Sequence, residues 1–190
     1  MEKIEHKQLQ ETIFHSKLEN GLQVYLLPKP EYNKTYATFT TNYGSIDNVF
    51  QVAGKDQTII PDGVAHFLEH KMFEQESGED VFQAFSRQGA SANAFTSFTR
   101  TSYLFSCTQN VETNLMTLLD YVQSPYFTDE NVEKEKGIIG QEIEMYDDNP
   151  DWRAYFGLIE AMYQNHPVKI DIAGTIESIA KITKETLYTC

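Results

Sequence analysis

The sequence predicts an α+β fold, a mainly antiparallel sheet with helices packed on one face. Three observations lead there. Strand-like runs come in groups rather than alternating one for one with helical runs, which argues against a doubly wound parallel sheet. The first two runs flank a turn short enough for a hairpin. The helical runs gather their apolar residues on one face, as helices that cover a sheet must.

The elements follow in order. Residues 14–18 and 22–27 are extended runs around Glu19-Asn20-Gly21, with Gly21 supplying the positive φ of a tight turn. Residues 34–43 alternate and are rich in threonine and aromatics, a third strand. Residues 44–60 read as a long loop, a length often tied to function. From residue 62 to 74 the pattern becomes helical, with Val64, Phe67, Leu68, Met72 and Phe73 recurring at helical spacing. A second helix covers 80–87 and stops at Gly89. Residues 91–96 and 101–108 form another strand pair. Residues 111–122 are an amphipathic helix with Val111, Leu115, Leu118, Leu119 and Val122 on one face and Pro125 just beyond. A long helix runs over 129–147, another over 151–164 after Asn149-Pro150, and short helices cover 175–180 and 183 onward. No repeat or linker divides the chain, so one domain over 1–190 is expected. The last residues lack a closing Gly or Pro, and the expectation is that the molecule continues past them.

The 41% hydrophobic content of this 190-residue chain suffices for a sizeable core. No run approaches the roughly 20 apolar residues of a membrane-spanning helix, so no membrane role is expected. The opening Met1-Glu2-Lys3-Ile4-Glu5-His6-Lys7 is charged and has no apolar h-region, which predicts a cytoplasmic address. Cys107 and Cys190 are too few for a disulfide framework or a zinc ribbon, and Cys107 reads as a small core residue. A net charge of −13 would repel nucleic acid.

The sharpest motif is His66-Phe67-Leu68-Glu69-His70, an H-x-x-E-H on a helix. Residues four apart share a face with Cβ atoms roughly 6 Å apart. Two imidazoles there can converge on one Zn²⁺ at about 2.0–2.1 Å each, while Glu69 reaches a water rather than the metal. This reverses H-E-x-x-H and is the inverzincin pattern. The plain alternative is a surface helix that happens to carry two histidines, but its apolar remainder argues against full exposure.

Two histidines need a third ligand, with one position left open for catalysis. In the long helix the apolar stripe Val132, Ile139, Tyr146, with Ile138 and Ile143 alongside, also carries Glu135 and Glu142, seven apart. A carboxylate on a buried face costs several kcal/mol unless a cation or hydrogen bonds compensate it. Two such acids imply a positive charge opposite them. The alternative has both snorkelling to water beside Lys134 and Lys136. Glu144 competes as a ligand by proximity but points about a quarter-turn away.

These residues resemble the pitrilysin/insulinase family of zinc peptidases, inverzincins with two glutamates seven apart some seventy residues after the motif. Gly89-Ala90-Ser91-Ala92-Asn93-Ala94-Phe95-Thr96-Ser97 is similar to that family's S-x-N-A-x-T strand, and His166-Pro167 and Gly174-Thr175-Ile176-Glu177-Ser178-Ile179 to its H-P…G-x-x-E-S-I segment. The likeness runs from about residue 20 to the last and is nearest to bacterial processing-protease-like members.

The resemblance implies the catalytic half-domain of the pitrilysin/mitochondrial-processing-peptidase-like fold and one Zn²⁺ per chain. It implies His66, His70 and Glu142 as ligands, Glu69 as catalytic base and Glu135 as a residue that orients a ligand. Ala92, Asn93, Ala94 and Phe95 would bind an extended peptide substrate as an added strand. The implied partners are a related C-terminal half and a homologous non-catalytic subunit. The implied function is zinc-dependent endopeptidase. The rival is a catalytically silent peptide-binding or partner subunit with a structural zinc, for which no fourth ligand presents itself. Mn²⁺ and Co²⁺ accept similar ligands.

Overall fold

In the computed structural model, which describes residues 1–190, the chain divides into two units, Met1–Thr35 and Tyr36–Cys190. The first is a three-stranded antiparallel sheet in the order β1-β2-β3, built from β1 (Glu2–His6), β2 (Glu11–Lys17) and β3 (Gln23–Leu26). The expected hairpin is there: Gly21 has φ 94° and its amide donates to the Leu18 carbonyl at 2.9 Å. Strand β1 escaped the sequence reading. Ile4 is its one aliphatic residue, paired with Ile13, so pairing with β2 rather than an apolar pattern of its own defines it.

The second unit carries the other elements. Strands β4 (Thr35–Thr41), β7 (Ala90–Thr96) and β8 (Thr101–Cys107) form a sheet in the order β4-β8-β7. β8 is central and almost wholly buried, and β7 pairs with it antiparallel from Ala90↔Cys107 to Thr96↔Thr101. β7 is therefore an edge strand whose other side has no strand partner. The segment read as a loop over 44–60 contains a small hairpin, β5 (Val49–Gln51) with β6 (Gln57–Ile59). Strands of three residues are too short to display alternation, which is why the pattern missed them. Phe50 and its cross-strand partner Thr58 form the inward side of the hairpin, with Phe50 edge-on to Tyr43 at 6.2 Å.

The helices are α1 (Val64–Lys71), α2 (Val81–Arg87), α3 (Val111–Tyr121), α4 (Asp129–Asp147), α5 (Pro150–Met162), α6 (Ile176–Ile179) and α7 (Lys184–Thr189). A 3₁₀ turn covers Pro167–Lys169. Side-chain caps explain several starts: Asp80 for α2, Asn149 before Pro150 for α5, and reciprocal capping boxes at Thr128 and Thr175. Phe67, Phe85, Phe105, Leu118, Ile139 and Ile182 are fully buried and fuse α1, α2, β8, α3, α4 and the chain end into one core. Cys107 lies in that core, as expected.

Two stripes differ from expectation. On α3 the buried line is Asn114, Leu118, Tyr121, whereas Val111 and Leu115 are exposed. The Asn114 side-chain amide nitrogen donates to the Asn110 carbonyl at 2.9 Å, which compensates its burial in part, while Oδ1 is buried without a partner. On α4, Ile138 is 46% exposed and the buried line is Val132, Glu135, Ile139. No helix is long and apolar enough to cross a membrane.

Candidate metal centre

Helix α1 starts in a place that only glycine fits. Gly63 has φ 86°, and a Cβ on it would lie 2.4 Å from the Ala173 carbonyl oxygen, so the first turn is laid directly on the 173–174 backbone. Val64 and Phe67 then sink into the core and rotate the helix so that His66 and His70 emerge together toward α4. The two rings stand 4.6 Å apart, centroid to centroid, with 62° between their planes.

Helix α4 brings the third group. Val132 and Ile139 anchor its inner face, and Glu135 and Glu142 fall on that face as the seven-residue spacing predicts. Glu142 Oε1 lies 3.7 Å from His66 Nε2, and its Oε2 lies 3.5 Å from His70 Nε2. His66, His70 and Glu142 each offer a donor atom within 4.8 Å of the others. Four ligands at about 2.05 Å around a tetrahedral ion sit roughly 3.3 Å from one another. The carboxylate-to-imidazole gaps are thus close to that edge length and too wide for hydrogen bonds. The donor set, two imidazoles and one carboxylate, suits zinc.

The two stripe glutamates have different partners. Glu135, nearly buried, accepts from His70 Nδ1 at 3.0 Å through Oε1, while its Oε2 faces Lys71 Nζ at 3.7 Å. Glu142 has the two imidazoles as its ion-pair partners and no lysine or arginine. So the positive charge that buried acids demand is Lys71 for Glu135, whereas the only ion-pair partners of Glu142 are two imidazoles, which are neutral when deprotonated. Glu144, the competing candidate, is exposed and joins none of these contacts.

Protonation follows from these surroundings. Burial pushes the His66 imidazolium down to about 4, helped by the charge of His70, so His66 is neutral near pH 7. Burial also disfavours charge on His70, but its hydrogen bond to Glu135 and the nearby carboxylates outweigh this and raise its pKa. Burial would raise Glu135, yet His70 and Lys71 overcome it and hold the carboxyl below its usual range. Because a carboxylate only accepts, the His70 proton sits on Nδ1, leaving the Nε2 lone pair toward Glu142.

Glu69 is buried beside this group. Desolvation raises its pKa, opposed by the Thr96 hydroxyl, which donates to Glu69 Oε2 at 2.8 Å. Thr96 is the last residue of β7, so one strand supplies both this hydroxyl and the segment singled out for substrate. Along it Ala92 and Ala94 face the core, whereas Asn93 and Phe95 are exposed on the outer side. Asn93 Oδ1 accepts from the Ala94 amide at 2.9 Å. Sequence reasoning passed over Thr96 and Lys71. Thr96 lay inside a quoted motif, but only the fold brings it to Glu69, 27 residues earlier. Lys71 follows the motif directly, and a lysine between the motif and the apolar pair Met72-Phe73 was a visible signal.

Residues 60–176 match the family model described as insulinase, peptidase family M16. A Bacillus subtilis (strain 168) protein named uncharacterized zinc protease YmfH is 70% identical over 188 residues, which is 98% of this chain and 44% of that protein. The crystal structure of a putative M16-like peptidase from Alicyclobacillus acidocaldarius superposes with a TM-score of 0.91 at 52% identity, covering 98% of this chain and 43% of that one. The peptidase M16 inactive domain from Pseudomonas fluorescens shares the fold, with a TM-score of 0.77 at 21% identity over 93% of this chain and 42% of that one. The chain spans less than half the length of each of these proteins. With more than half of its residues inside the matched region and the motif residues gathered at one point, the chain belongs to the insulinase family, peptidase family M16.

Proposed function

We propose that this chain is the catalytic part of a zinc endopeptidase, with His66, His70 and Glu142 holding one zinc ion and Glu69 serving as general base. The observation that carries the reading is the convergence of His66, His70 and Glu142, whose donor atoms lie within 4.8 Å of one another, with Glu142 oxygens 3.7 Å from His66 Nε2 and 3.5 Å from His70 Nε2. When bound, zinc supplies Lewis acidity and a water acidic enough to ionise near neutral pH.

The protein's own groups do the rest. The Thr96 hydroxyl occupies Glu69 Oε2, which leaves Oε1 to take the proton of the attacking water and pass it to the leaving amine. Burial raises the proton affinity of Glu69, which suits a base that must hold a proton briefly and then release it. Glu135 fixes the tautomer and orientation of His70. The open side of β7 offers main-chain groups to an extended peptide, with Asn93 and Phe95 at its surface. Peptides or unfolded segments are the substrate class that edge suits, and a related second half is the partner that the relatives' greater length suggests.

The rival, a silent partner subunit, draws on the likeness to a domain described as inactive. A fold shared at 21% identity does not carry catalysis; Glu69 and the His66–His70–Glu142 group would. Substituting Glu69→Gln in the full chain should keep zinc at the wild-type level and lower peptide hydrolysis by about a hundredfold or more. Hydrolysis at the wild-type rate would refute the role of Glu69, and zinc-loaded wild type without any hydrolysis would favour the silent subunit.

A further inference from the structure

Lys71 is the buried charge that the mechanism leaves unused. Its side chain has no solvent exposure, and Nζ lies 2.7 Å from Glu74 Oε1 and 3.7 Å from Glu135 Oε2. A lysine at this depth is tolerated only where carboxylates meet it. Glu74 is partly exposed, so solvent screens it, whereas Glu135 is almost fully enclosed. From Lys71 a line of contacts runs through Glu135 to His70 and on to Glu142.

We propose that Lys71 is a positioning residue, a built-in counter-ion that keeps the centre formed while no metal is present and tempers its hold on a divalent cation. The inference rests on the reading of His66, His70 and Glu142 as ligands. Three carboxylates, Glu69, Glu135 and Glu142, crowd the two imidazoles. Without a cation they repel one another across a poorly solvated space, and α4 would be driven from α1. Lys71, shared between Glu74 and Glu135, offsets part of that negative charge before a divalent ion arrives. By holding Glu135 Oε2, Lys71 also leaves Oε1 aimed at His70 Nδ1, so the imidazole is oriented before metal arrives.

The same charge opposes a bound cation. The His70 Nδ1–Glu135 Oε1 bond does not itself include Lys71, so the direct repulsion, lost on substitution, outweighs the weaker positioning and decides the sign. Lys71→Met should therefore bind zinc more tightly, on the order of tenfold, while its metal-free form melts at a lower temperature than the wild type. Lys71→Arg should restore both properties.

The test uses the full chain after removal of metal by chelation. Melting temperature is measured with and without zinc, and the zinc dissociation constant by competition with a chromophoric chelator. The expected result for Lys71→Met is a lower metal-free melting temperature, a larger zinc-induced rise and a tighter dissociation constant. A space-filling role would move both melting temperatures together and leave the dissociation constant alone, which would overturn the proposal. If Lys71→Met yields no folded protein under any condition, Lys71→Gln takes its place, and wild-type values for it would equally overturn the proposal. Wild-type protein that binds no zinc would instead refute the ligand assignment, so the two failures are distinguishable.

Discussion

Thr96 offers a sharp test of how the base is held. Its hydroxyl donates to Glu69 Oε2 at 2.8 Å, an acceptor that is charged before proton transfer and neutral after it. Hydrogen bonds to charged groups contribute about 1.5–3 kcal/mol, and a water entering the space left by Thr96→Val recovers part of this. A net loss of about 1.4 kcal/mol corresponds to roughly one pH unit. The bond favours ionised Glu69, so its removal raises the proton affinity of the base. The acidic limb of the kcat/KM–pH profile should then move up by about one unit. At a pH on that limb, activity should fall about tenfold, with a smaller change on the plateau and zinc content unchanged. The assay is hydrolysis of a fluorogenic peptide by the full chain from pH 5 to 9, with Thr96→Ser as the variant that keeps the hydroxyl. A folded, zinc-loaded Thr96→Val protein with an unmoved acidic limb would refute the reasoning.

Acid stability should depend on His66. Its folded-state pKa is pushed down to about 4 by burial, so the folded chain refuses a proton that the unfolded chain accepts. Stability present above about pH 6.5 is then lost as pH falls toward about 4, by on the order of 3 kcal/mol. His70, with its raised pKa, works the other way: it favours folding below the unfolded value and loses that contribution as pH rises through the folded one. The metal-free wild type should therefore lose melting temperature on acidification more steeply than His66→Gln, and equal slopes would count against the burial of this ring. Gly63→Ala should cost about 2–4 kcal/mol, because a left-handed alanine must also displace the Ala173 carbonyl. Thermal unfolding measures it, and a wild-type midpoint would show that α1 does not start as described.

What the sequence disclosed depended on the range of the interaction. His66, Glu69 and His70 lie within one turn and a half of helix, and the pair Glu135 and Glu142 shares a helix face, so local periodicity placed them. Their meeting across α1 and α4 rests on packing through Phe67 and Ile139, which no local pattern states. Strand β1 and the β5–β6 hairpin were missed because pairing, not alternation, defines such short strands. The α3 stripe differs because tertiary packing buries Asn114, whose Nδ2 bonds the Asn110 carbonyl, while Val111 and Leu115 stay exposed, a choice that apolar periodicity does not state. Buried carboxylates signalled a hidden positive charge, and Glu135 found it in Lys71, one residue past the motif.

The central claim is that two imidazoles of α1 and one carboxylate of α4 hold a single metal ion. Elemental analysis of the full chain, after dialysis against a weak chelator, addresses it directly when Glu142→Gln and Glu144→Gln are compared with the wild type. The account predicts about one zinc per chain in the wild type and in Glu144→Gln, and little or none in Glu142→Gln. Zinc retained by Glu142→Gln and lost from Glu144→Gln would contradict it.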